Sequence, residues 1–119
     1  MKQTASAKRL DTVFKAVSDS TRRAILQQLS TGPKAVVEVA KGFSMSLPSV
    51  SKHIRVLEDA GLIKRRVEGR VHHLHLNAKP MKEATEWLEF YHQYWSLKLN
   101  SLERYLQEES TKEKDSSHD

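Results

Sequence analysis

The chain has 119 residues and no cysteine, and this absence removes several kinds of chemistry at once. Without thiols there can be no disulfide framework, no thiolate ligand for a metal and no cysteine nucleophile. Glycine is also scarce, with only four residues spread along the sequence, so the chain has no glycine-rich loop that could cradle a phosphate group. The sequence therefore excludes thiol-based redox chemistry and offers no nucleotide-binding loop.

Long apolar runs are missing as well. No segment approaches the roughly 20 apolar residues that a membrane-spanning helix needs. The first residues, Met1–Thr4, lack the apolar stretch of a signal peptide. We therefore expect a cytoplasmic protein with no membrane partner.

The charge is positive and unevenly distributed. The formal net charge is +5, but residues 107–119 carry five acids against two lysines, a net of −3, which leaves +8 on the rest of the chain. A basic body suits an anionic polymer, whose phosphates release counterions when cations bind them. A chain of this length predicts one domain, with a core that is marginal unless a partner helps to bury it.

Apolar periodicity and turn residues predict a mostly α protein with a small antiparallel β-hairpin. We expect a winged helix-turn-helix over residues 1–106 and a disordered charged tail over 107–119. Asp19 and Ser46 are the expected N-caps of the second and fourth helices, and Gly61 is the expected glycine just past the fourth. The expected elements are helices at about 7–17, 20–30 and 35–42, a fourth helix after Ser46, strands at 62–67 and 70–76, and a long helix at about 79–106.

The fourth helix is the most informative segment. Val50, Ile54 and Leu57 share one face, while the opposite face has small hydroxyls near its start and cations further along. Small side chains allow close approach to base edges in a major groove, and cations reach bases or phosphates. An ordinary solvated face is the alternative. The candidate DNA-binding residues here are Ser46, Ser49, Ser51, Lys52, His53 and Arg55.

His53 lies on the flank of this helix, where two roles are open. It is either a histidine whose hydrogen bonds are satisfied at an interface, or a donor to a DNA phosphate. The sequence favours the phosphate role slightly.

The hairpin that follows is strongly cationic. Its positive side chains repel one another, and a phosphate partner would relieve that cost. Arg70, beside the turn formed by Glu68 and Gly69, is the candidate for insertion into a minor groove, with a solvated turn residue as the alternative. The candidate wing contacts are Lys64, Arg65, Arg66 and Arg70.

The last predicted helix carries more apolar surface than so small a core can cover. Such an excess is typical of an interface, although the helix could instead fold back over its own domain. The residues that we expect in a dimer interface on this helix are Trp87, Tyr91, Tyr94, Trp95, Leu102 and Tyr105.

Together these segments resemble the ArsR-type (arsenical-resistance-regulator) family of bacterial winged-helix repressors, in its cysteine-free branch that does not sense metals. The match rests on VFKAVSDSTRRAIL at 13–26, on Glu38-Val39-Ala40, on MSLPSVSKHIRVLE at 45–58 and on the Glu68-Gly69-Arg70 tip. The resemblance implies a homodimer, joined through the first and last helices, that represses by occupying a near-palindromic operator. It adds Leu10 and Phe14 of the first helix to the expected interface. Ser20 stands where the family usually has proline, which affects only the rigidity of that helix start.

We expect no catalysis, no cofactor and no bound metal. The serines and histidines of the fourth helix lack a carboxylate to orient them and an oxyanion pocket. Metal sites need three or four convergent donors, and only His72, His73 and His75, or Glu89 with His92, supply even two. A metal-responsive repressor that uses these ligands and a winged-helix interaction module without DNA binding remain the alternatives. The sequence does not identify the inducer or the operator.

Overall fold

The computed structural model describes residues 5–116. The chain divides into two units, Met1–Ala84 and Thr85–Asp119. No helix in the described part combines the length and apolar character that a membrane crossing requires. The elements in chain order are α1 (Ala5–Val17), α2 (Ser20–Leu29), β1 (Lys34–Ala35), α3 (Val36–Lys41), α4 (Leu47–Asp59), β2 (Ile63–Glu68), β3 (Val71–Leu76) and α5 (Ala78–Ser116).

The core of the first unit is built from apolar residues at helical spacing. Ile54 and Leu57 of α4 are completely buried, as is Ile25 of α2, and they meet Leu62 and Leu74 of the sheet region. Truncating such a side chain to alanine typically costs about 2–5 kcal/mol, because it leaves a cavity as well as removing buried area. This core fixes the position of α4.

The predicted helix caps are confirmed. The Asp19 side chain accepts a hydrogen bond from the backbone N–H of Arg22 at 3.1 Å, and Ser46 caps α4 ahead of Pro48. Gly61 has a φ of +74°, the left-handed conformation that ends many helices. These local signals make α4 begin and end where the sequence predicts.

The hairpin is confirmed, with one strand added. β2 and β3 pair antiparallel around Gly69, whose φ is +62°, and β1 joins the other edge of β3. β1 has only two residues, too short for an alternation pattern to be visible in the sequence. The register places Lys64 opposite His75 and Arg66 opposite His73, on the face opposite the buried Ile63.

The predicted disorder of the charged tail is wrong for residues 107–116, where α5 continues to Ser116. Apolar periodicity ends at Leu106, but no glycine or proline follows to stop the helix, and glutamate, lysine and glutamine are good helix formers. Glu108 and Lys112 also stand at the favourable i, i+4 spacing. The last three residues of the predicted tail lie outside the described residues.

Candidate nucleic-acid interface

The segment α3–turn–α4 has the geometry of a helix-turn-helix. Val50, Ile54 and Leu57 bury one face of α4 in the core. The opposite face is open to solvent, with Lys52 and Arg55 both exposed. The core therefore presents a cationic helix face outward.

The start of this face is built from serines. Ser46 and Ser49 lie with their hydroxyl oxygens 3.0 Å apart, and Ser46 also accepts from the Ser49 backbone N–H at 3.4 Å. Ser49 and Ser51 are half-buried, whereas Ser46 and Pro48 are exposed. Small side chains thus line the N-terminal end of the helix, where a groove could come close.

His53 is turned toward α2. Its Nδ1 lies 3.3 Å from Nη1 of Arg22 and 3.8 Å from Oδ2 of Asp19, and its side chain is 24% exposed. Of the two roles that the sequence left open, this geometry favours the satisfied histidine for Nδ1. Contact with a phosphate would fall to the other ring nitrogen, Nε2.

Asp19 is the acidic member of this cluster. The hydrogen bond from the backbone N–H of Arg22 is the main cause that lowers the pKa of Asp19 below its ordinary value of 3.8. Desolvation opposes this effect, and electrostatic interactions with His53 and Arg22 lower the pKa further. The carboxylate is therefore the favoured form in the folded protein.

Arg65 has protein partners already. It donates to Glu58 through Nη2 at 2.6 Å and Nε at 3.3 Å, and its Nη1 lies 3.0 Å from Nδ1 of His72. The pair joins the C-terminal part of α4 to the hairpin. Arg65 therefore differs from the three other cations predicted for the wing, because its guanidinium is already paired within the protein.

Those three cations are exposed. Lys64 and Arg66 project from the sheet face opposite Ile63, and Arg70 lies in the turn after Gly69. On the same face, Nε2 of His73 lies 3.8 Å from Glu68, and Nε2 of His75 is buried without a hydrogen-bond partner among the described residues. The described part of the chain contains no group of three or more histidine, aspartate or glutamate residues placed to bind a metal.

The residues predicted for a dimer interface fall into two classes. Leu10 and Phe14 of α1 are half-buried against the core of their own unit. By contrast, Phe90 and Leu97 of α5 are 67% and 70% exposed. The six residues predicted on α5 are exposed as well: Trp87, Tyr91, Tyr94, Trp95, Leu102 and Tyr105.

These α5 side chains form one continuous surface. At about 100° per residue, the exposed apolar positions from Trp87 to Leu106 span an arc of about 200°. Neighbouring rings contact one another within it, with Trp87 and Tyr91 tilted by 38° at a centroid distance of 4.2 Å. An apolar arc this wide is typical of a helix that other helices cover.

The sequence did not reveal the contacts that Asp19 and Arg22 make with His53 of α4, or the pairing of Glu58 in α4 with Arg65 of the hairpin. Asp19 and Arg22 stand at cap spacing, which is a visible signal for the start of α2. Nothing in the sequence links Arg22 to His53, 31 positions away. Only the packing of α2 on α4 shows that contact.

Comparisons with known proteins agree with this geometry. Residues 17–66 match a family model described as a helix-turn-helix domain. The transcriptional repressor SdpR of Bacillus subtilis is 34% identical over 79 residues, covering 66% of this chain and 88% of that protein. An ArsR family transcriptional regulator of known crystal structure is 41% identical, with a TM-score of 0.72 over 81% of this chain and 97% of that one.

A further solved structure is the homodimeric winged helix-turn-helix DNA-binding domain from Mycobacterium bovis. It shares the fold at 22% identity, with a TM-score of 0.60 over 77% of this chain and 91% of that one. Taken with the caps, the outward face of α4 and the cationic hairpin, these likenesses identify the chain as a member of the ArsR family of winged helix-turn-helix transcriptional regulators.

Proposed function

We propose that this protein is a homodimeric repressor that occupies a near-palindromic operator in duplex DNA. The observation that carries the proposal is the joint exposure of Lys52 and Arg55 on α4 beside the exposed cations of the hairpin. An α-helix fits the major groove of B-DNA, and a hairpin next to it can reach the flanking backbone or minor groove.

The two elements differ in what they can recognise. Lys52 and Arg55, with the serines at the start of α4, would contact base edges and nearby phosphates in the major groove. Lys64 and Arg66 would contact phosphates, and Arg70 at the tip would enter the minor groove. Base contacts determine sequence preference, whereas phosphate contacts contribute affinity without sequence information.

A second copy of the chain is the proposed partner of the α5 surface. Burying the aromatic arc would supply the apolar area that a small domain needs. A two-fold dimer would set its recognition helices about 34–36 Å apart, one turn of duplex, so its operator would be nearly palindromic. The homodimeric domain from Mycobacterium bovis supports this assembly, and the repressor SdpR supports repression.

The proposal places the protein in the cytoplasm, where its operator DNA lies. It assigns no enzymatic activity, no cofactor and no metal. DNA and a second copy of the chain are the partners that it requires.

The test is to select fragments of genomic DNA on the purified protein, sequence them, and repeat the selection with a Lys52→Ala/Arg55→Ala double variant. Lys41→Ala/Arg104→Ala is the control, because both of these cations are exposed but lie outside α4 and the hairpin. We expect wild type and control to enrich the same near-palindromic site and the double variant to lose it. If wild type retains no DNA at low salt, the proposal fails and an interaction module without DNA binding replaces it.

A further inference from the structure

One side chain of α2 joins three helices. The guanidinium of Arg22 donates through Nε to the carbonyl of Ala16 at 2.5 Å and through Nη2 to that of Lys15 at 3.0 Å, both in the last turn of α1. Its remaining terminal nitrogen, Nη1, lies 3.3 Å from Nδ1 of His53 in α4. The Arg22 side chain therefore contacts both the end of α1 and the middle of α4.

The contact also orients the ring of His53. Arginine has only donors, so in a hydrogen bond from Nη1 of Arg22 the acceptor is Nδ1 of His53. Asp19 helps to set this geometry, because its carboxylate accepts from the Arg22 backbone N–H and lies near the same ring nitrogen. The ring of His53 is then held at its Nδ1 edge, and Nε2 lies on the other side of the ring.

The neighbouring residue, Arg23, allows the contact between Arg22 and α4 to be distinguished from the capping of α1. Arg23 also caps α1, donating through Nη1 to the carbonyl of Val17 at 2.8 Å. Among the described residues, this side-chain hydrogen bond of Arg23 reaches α1 and not α4. Two adjacent arginines therefore share the capping role, and one of them adds the contact with α4.

We propose that Arg22 and His53 are positioning residues for DNA binding, which fix the orientation of α4 relative to α1. The inference rests on the proposed function, in which α4 enters the major groove, and on the expectation from the family resemblance that α1 takes part in the dimer interface. A rigid link between these helices would set the separation of the two recognition helices. Binding sites tolerate errors of only about 0.5 Å and 10–20°, so a link loosened at Arg22 weakens binding although Arg22 itself is not among the expected DNA contacts.

The first test measures affinity for the selected operator by fluorescence anisotropy. Arg22→Lys keeps the charge but loses the fork that reaches two helices at once, and Arg23→Lys is the matched control. We expect Arg22→Lys to weaken binding about tenfold and Arg23→Lys to change it less than about twofold. Equal losses from the two variants would overturn the inference, because capping of α1 would then explain both.

The second test measures coupling and rescue. In a double-mutant cycle, Arg22→Lys and His53→Ala should be non-additive by at least about threefold in affinity, since both break the same contact. His53→Asn should restore much of the affinity, because its side-chain oxygen can accept from Arg22 near the position of Nδ1. Additive losses, or no rescue by asparagine, would contradict the link. If Arg22→Lys fails to fold by circular dichroism, His53→Ala and His53→Asn carry the test.

The third test measures how strongly the protein discriminates between operators of different half-site spacing. A loss of stability alone would not change this discrimination. Operators whose half-sites are shifted by one base pair in either direction should bind wild type much more weakly than the natural spacing. His53→Ala should lose part of this discrimination, whereas Arg23→Lys should keep it. Unchanged discrimination in His53→Ala would overturn the inference. Failure of wild type to bind any DNA would instead overturn the proposed function.

Discussion

Individual side chains on α4 and the hairpin fall into two sets, those that fix the helix and those that face away from the protein. His53 and Glu58 belong to the first set through their contacts with Arg22 and Arg65. Lys52 and Arg55 belong to the second, with no role in the core. Substitutions in the two sets should therefore give different results.

Removing outward cations should separate specificity from affinity. Lys52→Ala or Arg55→Ala should cost about 1–3 kcal/mol of binding and relax the sequence preference if the side chain contacts a base. Arg66→Ala should weaken all sequences alike and reduce the salt slope by about one. Anisotropy titrations against the operator and a scrambled duplex measure both effects. If Arg66→Ala weakened binding to the operator but not to the scrambled duplex, Arg66 would contact bases, contrary to its proposed role at phosphates.

Arg65 should behave differently from Arg66, although the sequence treats them alike. Arg65 and Glu58 are a partly exposed pair, with side-chain exposures of 30% and 26%. We expect a coupling of about 0.5–1 kcal/mol in the free energy of unfolding between Arg65→Ala and Glu58→Gln. Arg66→Ala should leave stability nearly unchanged. Urea denaturation at one protein concentration checks this, and zero coupling would show that the pair does not join α4 to the hairpin.

Asp19 should make the folded state sensitive to acid. Its pKa is lower in the folded protein than its ordinary value of 3.8. The carboxylate therefore stabilises the fold above that value, and the stabilisation is lost as the pH falls through the lowered pKa. Asp19→Ala should be less stable than wild type at pH 6, and the difference should narrow below pH 3.8.

The comparison is made by urea denaturation at fixed protein concentration, because dimerisation links stability to concentration. Asp19→Asn is the control, since it retains a cap acceptor without a titrating group. A difference between wild type and Asp19→Ala that is constant from pH 6 to pH 3 would show that the cap is not carried by the carboxylate.

At the scale of elements, the sequence predicts what depends on local rules. The caps at Asp19 and Ser46, the glycine after α4 and the hairpin around Gly69 each follow from a residue with a specific backbone or hydrogen-bonding property. β1 escapes prediction, because its two residues become a strand only by pairing with β3. The contacts of His53 and Arg65 escape it for the same reason, since both cross between elements.

The extent of α5 shows the limit of the apolar pattern as a guide. The pattern marks where a helix is covered by a partner, not where its backbone hydrogen bonds end. Residues 107–116 continue as helix because their composition favours it, without apolar side chains. The interface predicted on α5 should therefore be shorter than the helix itself.

Two truncations test whether the interface on α5 is shorter than the helix. A chain that ends at Leu106 keeps the whole aromatic arc and should remain a dimer that binds the operator. A chain that ends at Ala84 loses the arc and should be a monomer or an aggregate. Light scattering measures the state of each, and a stable, DNA-binding dimer from the shorter chain would show that α5 beyond Ala84 is not the interface.

At the scale of the whole molecule, the cationic surface of α4 and the hairpin and the aromatic surface of α5 belong to different units. The cations of α4 and the hairpin belong to the first unit, and the aromatic arc belongs to the second. One surface suits a polyanion and the other suits an apolar partner. This division is the physical basis for assigning DNA to the first and a second copy of the chain to the second.

The most direct test of this account is the affinity for the selected operator, measured by anisotropy between about 50 and 200 mM salt beside a scrambled duplex of equal length. We expect tight binding of two chains per operator, much weaker binding of the scrambled duplex, and a steep loss of affinity as salt rises, because Lys64, Arg66 and their neighbours displace counterions from phosphates. Equal affinity for both duplexes, or affinity that does not change with salt, would contradict the assignment of α4 and the hairpin as a sequence-specific DNA interface.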